Sequence, residues 1–117
     1  MYSKRDPLLF VDENLNSIKM IQEFTKAFDY NAFILDQKTI QAVIRWLEVI
    51  GEATKNLPNQ LLATYPSANF NAFARMRDKL IHNYFGVDLK IIWKTIESDL
   101  PSLKEGAQNI KEKLSAK

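Results

Sequence analysis

The sequence predicts an all-α fold, a four- to five-helix up-and-down bundle formed as one domain over residues 1–117. Three observations carry this. Apolar residues recur at spacings of three and four along most of the chain. No stretch sustains the alternation of a β-strand, and no internal repeat or low-complexity tract interrupts the helical pattern. Glycine (three) and proline (four) are scarce, and the prolines fall where helices should start or stop.

The elements follow in order. Asp6-Pro7 reads as an N-cap followed by proline at the first helical position. After it, Val11, Leu15, Ile18, Ile21, Phe24 and Phe28 form a helical stripe. "DYNAF" reads as a loop, and Asp36 as the cap of a second helix, "QKTIQAVIRWLEVIGEATKNL". Ile40, Val43, Leu47, Ile50 and Thr54 make one seam of that helix, and Ile44, Trp46, Val49 and Ala53 widen it. Only Gln41, Arg45, Glu48 and Glu52 align as a polar strip, so this helix should be central, or face both the core and another chain. Gly51 inside it costs about 1 kcal/mol relative to alanine, which leaves either a close approach by another backbone or a tolerated lapse.

Pro58 should end that helix, with "NQLLATYPSANF" as a connector holding one helical turn. A third helix is expected from Asn69 to Tyr84, with Gly86 as its stop. Asp88 can cap a fourth, "LKIIWKTIESDL", and Pro101 can open a fifth after a short break at Leu100-Pro101.

Composition narrows the function classes. A chain of 117 residues that is 46% hydrophobic and 26% charged is an ordinary globular domain, long enough to bury a core without staples. It has no cysteine, so neither disulfides nor thiolate metal sites arise, and a reducing cytoplasmic setting is the expectation. The N-terminal stretch lacks the apolar h-region of a signal peptide. No apolar run approaches the ~20 residues of a membrane span. The net charge of +2 is far from the excess of a non-specific nucleic-acid binder, so any contact with a phosphate polymer needs a local cluster. The lysines of "LKEGAQNIKEKLSAK" read more simply as charge suited to a helix C-terminus.

The third helix carries the unusual residues. On a helical wheel, Phe73, Leu80 and Tyr84 fall within about 60° of Arg77, and Phe70 and Ile81 within about 40° on the other side. Arg77 thus stands in the middle of an apolar arc, where a charge that cannot be neutralised must meet a carboxylate, a phosphate-bearing ligand or a solvated seam between chains. His82, the single histidine, lies about 140° away and shares its side with Asp78, Arg75 and Lys79. Asp78, four residues earlier, can orient the imidazole and favour its protonated form. The plainer alternatives are a structural salt bridge for Arg77, a solvated His82, and a half-buried Tyr84 with one hydrogen bond. One helix cannot easily aim Arg77 and His82 at one ligand, whereas two copies across a two-fold axis can, or a helix end that unwinds at Asn83–Gly86.

"RDKLIHNY" fits the R-x-x-x-x-H-x-Y motif, and with "RWLEVIGEATKNL" the chain resembles the HEPN-domain ribonucleases, the HepT-like branch in particular. The resemblance runs from the first helix to "DLPSLKE" and places Arg77, His82 and Tyr84 in the motif positions, with Asp78 as the polar residue after the arginine. Where members often carry a tryptophan shortly before the motif, this chain has Phe70 and Phe73, which reads as a core exchange.

The resemblance implies a homodimer whose motif helices meet at a groove, metal-independent RNA cleavage, and membership of a type VII toxin–antitoxin pair. In such pairs an MntA-like nucleotidyltransferase antitoxin attaches AMP to the motif tyrosine, here Tyr84. No cofactor or metal is implied. The chemistry is coherent. A histidine titrates near neutrality and moves protons, an arginine offers a permanent forked donor to phosphate oxygens, and a dimer holds two of each. Arg75 and Lys79 are candidates for RNA-phosphate contacts. Two other readings stand beside it. One is a non-catalytic nucleotide- or partner-binding module of a nucleotidyltransferase complex. The other is a structural helical dimer, with Arg77 paired to an acidic residue such as Glu52 and His82 free in solvent.

Overall fold

Asp6 opens the first helix as its sequence suggests. Its carboxylate accepts from the Leu8 backbone N–H at 2.9 Å, and Pro7 takes the first position of α1 (Pro7–Thr25). The protein is seen here as a computed structural model, which describes residues 6–82 and 88–116, and every regular element among them is helical. Val11, Ile18 and Ile21 are buried along α1, while Phe24 stands on the rim, its ring edge against Trp46 with centroids 4.8 Å apart.

The "DYNAF" stretch is not a loop but a helical turn, α2 (Tyr30–Phe33). Asp29 caps it through the Ala32 N–H at 2.8 Å, and Phe33 is wholly buried with its ring 5.1 Å from that of Trp93. Four residues are too few for a 3.6-residue period to register, so only the capping aspartate could have announced this turn. Next, Asp36 accepts from Thr39 N–H at 3.1 Å and opens α3 (Gln37–Lys55). The seam Ile40, Val43, Leu47, Ile50 and Thr54 is buried throughout. α3 packs against α1 on one side and the motif helix on another, which makes it the central element its girth predicted.

The connector contains α4 (Asn59–Leu62) and a 3₁₀ turn (Pro66–Ala68), and Asn69 in the left-handed region (φ 53°) turns the chain into α5 (Phe70–His82 in its described part). Gly86 lies outside the described residues, so the stop expected there is untouched. Asp88 caps α6 (Leu89–Lys94) through the Lys90 N–H at 2.9 Å.

The break expected at Leu100-Pro101 is absent. α6 continues through a π turn (Thr95–Asp99) directly into α7 (Leu100–Ser115). Pro101 lacks an N–H and its ring crowds the carbonyl of Glu97, four residues earlier; one wide turn relieves the conflict without ending the helix. α7 lays Leu103, Ala107 and Ile110 into the core and is tied to α1 by Lys111 and Asp12 at 2.9 Å. Among the described residues, no helix is long and apolar enough to cross a membrane.

Candidate active site

The site begins with a missing side chain. A Cβ built on Gly51 of α3 would lie 2.3 Å from Arg77 Cβ and 2.8 Å from the Phe73 carbonyl oxygen. Both contacts are too short for real atoms, so glycine here is what allows α5 to lie directly on α3. The choice left open for Gly51 is settled as close approach. Phe73 and Leu80 fill the core beside this crossing, and Arg77 starts from the same packed surface.

From that root the Arg77 side chain reaches outward and remains 28% exposed. Nη2 lies 3.2 Å from Glu52 Oε2, and Nη1 donates to Asp78 Oδ1 at 3.2 Å. Lys55 Nζ, one turn beyond Glu52 on α3, donates to the same Oδ1 of Asp78. Two cations and two carboxylates thus form one chain, Glu52–Arg77–Asp78–Lys55, across the α3–α5 seam. The carboxylate demanded by Arg77's position is therefore supplied from α3 and from its own neighbour. The pairing with Glu52 is the one that the structural reading anticipates.

Lys55 above all, with Arg77 behind it, holds the Asp78 carboxyl below its usual range, against a partial desolvation that works the other way. Asp78 had been expected to orient His82; its visible partners are Lys55 and Arg77. The backbone of His82 closes the described part of α5, while the imidazole and all of Tyr84 lie outside the described residues. Lys55 is the residue that sequence reasoning missed. Its signal was available only in hindsight, as a lysine three residues after Glu52 on the face that Gly51 opens.

Arg77 also forms part of the wall of an open groove of about 310 Å³. Phe10 and Glu13 come from α1, Arg45, Glu48 and Glu52 from α3, and Ile81 lies one turn beyond Arg77 on α5. Ile81 is 41% exposed, an apolar side chain left at the groove mouth. Arg75 and Lys79 are exposed and do not line this groove. Within one protomer, then, the groove sets two arginines against three glutamates, a poor surface for a polyanion on its own. Among the described residues no three potential metal ligands converge.

Residues 15–110 match the family model described as Ribonuclease HepT-like. The chain is 48% identical over 101 residues to a protein of Thermococcus cleftensis named "Probable ribonuclease HepT", covering 86% of this chain and 92% of that one. It is also similar to two proteins of Methanocaldococcus jannaschii provisionally designated RNases. One is 44% identical, over 93% of this chain and 91% of the relative. The other is 43% identical, over 97% and 98%. No solved structure matches the chain significantly.

Proposed function

The chain belongs to the ribonuclease HepT-like family, and from that premise we propose that it is a metal-independent RNA endonuclease toxin whose active site forms in a homodimer groove. The observation that carries this is Arg77: a permanent cation, rooted on Gly51, fixed by two carboxylates and facing an open groove. His82 follows it on the same helix by five residues, about 7.5 Å of rise.

In this reaction the RNA 2′-hydroxyl attacks the adjacent phosphorus. One histidine takes the hydroxyl proton and the other gives a proton to the departing 5′ oxygen, leaving a 2′,3′-cyclic phosphate and a 5′-hydroxyl. Arg77 donates to the non-bridging oxygens, whose charge grows in the pentacoordinate state. One protomer supplies one His82 and a groove richer in carboxylates than cations. A second copy supplies the other histidine and brings Arg75 and Lys79 within reach of the substrate backbone. Cleavage in EDTA by the purified protein, lost in both Arg77→Ala and His82→Ala, tests this; full activity in both variants sinks it.

Control of the toxin rests on Tyr84. A nucleotidyltransferase antitoxin would transfer AMP from ATP to its hydroxyl, with pyrophosphate leaving. The added phosphate would block the groove and neutralise its cation. The intact mass of protein made with and without that partner, followed by mapping of the Tyr84 peptide, checks this.

A second reading is favoured by the Glu52–Arg77 ion pair: a structural helical dimer in which that pair serves the fold and not catalysis. Growth arrest on expression of this chain alone, dependent on His82, separates the toxin from it.

A further inference from the structure

Apart from its own neighbour Asp78, the residues that hold Arg77 come from one short stretch of α3, Gly51 to Lys55. Gly51 leaves the space in which the Arg77 root sits. Glu52 takes one terminal nitrogen of the guanidinium, and Asp78, itself held by Lys55, takes the other. A guanidinium carries five N–H donors; the hydrogen bond from Nη1 to Asp78 and the ion pair of Nη2 with Glu52 hold its plane and leave further donors for a phosphate. A free arginine side chain would lose rotamer freedom on ordering. Here that ordering is done before substrate arrives.

We infer that Gly51, Glu52 and Lys55 form a positioning cradle for Arg77, with Glu52 as the residue that sets the angle at which the guanidinium meets the scissile phosphate. The inference rests on the ribonuclease reading and deepens it. It makes α3 half of the active site, although none of its residues touches the reacting atoms. Glu52 is not a catalytic residue here. Its side chain is 52% exposed and is not needed to fill the core, so its loss leaves the fold intact.

The rival role for the same ion pair is inhibition, in which Glu52 occupies Arg77 until phosphate displaces it. The two roles differ in which kinetic constant they move. A positioning carboxylate acts in the transition state and moves kcat, whereas a competing carboxylate weakens substrate binding and moves KM.

The test is steady-state cleavage of a fluorophore–quencher RNA in EDTA by wild type, Glu52→Ala, Glu52→Gln and Arg77→Ala, with thermal melting of each. Positioning predicts a kcat about 10- to 100-fold lower in Glu52→Ala with KM within about twofold, as misplacing a catalytic group does. Glu52→Gln, whose amide oxygen stands at the same place and can accept from the guanidinium, recovers most of that loss. Melting curves of all four stay close. Unchanged kinetics in Glu52→Ala alongside an inactive Arg77→Ala overturn the cradle and leave the ribonuclease reading intact. A lowered KM with kcat kept or raised overturns it in favour of inhibition. Failure of Gln to recover activity overturns it as well. An active Arg77→Ala overturns the ribonuclease reading itself.

Discussion

Arg77 shows how a charge is tolerated on an apolar arc. The side chain leaves the core at Gly51 and ends among carboxylates, so its burial is confined to the alkyl stem. Gly51→Ala puts a methyl group where Arg77 Cβ and the Phe73 carbonyl already stand. It should destabilise by about 1–3 kcal/mol in urea denaturation, the usual range for overpacking, and lower RNA cleavage as α5 shifts. Asp78 gives a pH prediction with a definite sign. Its folded carboxyl titrates below the usual value of 3.8, so its contribution is present above that value and is lost as pH falls through the lower, folded one. The melting-temperature gap between wild type and Asp78→Asn should therefore stay level from pH 7 to pH 5 and close only in stronger acid. The demand for a partner at Arg77 was legible in the sequence. The identity of the partners was not, because Glu52 and Lys55 are more than twenty positions away from it.

At the scale of elements, periodicity and caps located the long helices well. Asp6, Asp36 and Asp88 all cap as their positions suggest, because an aspartate before an apolar-periodic run has few better uses. Asp36→Ala should cost about 1 kcal/mol of stability in chemical denaturation, with little effect on cleavage. Two elements were misread for identifiable reasons. α2 is shorter than the period used to detect a helix, and Phe33 is drawn into the core by tertiary contact with Trp93. Pro101 was read as a break because proline usually stops a helix, but the π turn before it absorbs the clash and α7 runs on. The cost of Gly51 was legible from α3 alone, while its use required knowing that α5 is the neighbour.

The whole molecule is an all-α bundle in which α3 lies between α1 and α5, with Arg77 in the wall of an open groove. Two arginines face three glutamates there, and each chain has a single histidine. Ile81, exposed at the groove, is the apolar side chain that the dimer proposed above would cover. Ile81→Glu should yield a monomer by sedimentation and abolish cleavage while leaving the helical content unchanged. The family was legible from the spacing of Arg77, His82 and Tyr84 together with the "RWLEVIGEATKNL" stretch of α3, but assembly was not, since no single helix reveals what faces it. In the proposed reading two copies build one site, and both histidines work in it. The most direct measurement is the cleavage rate in EDTA of dimers refolded from wild type and His82→Ala in varied ratio at fixed total protein. One shared site predicts a rate that follows the square of the wild-type fraction, so an equal mixture retains about a quarter of full activity. A linear decline, with about half retained in that mixture, would show that each protomer acts alone and would contradict the account.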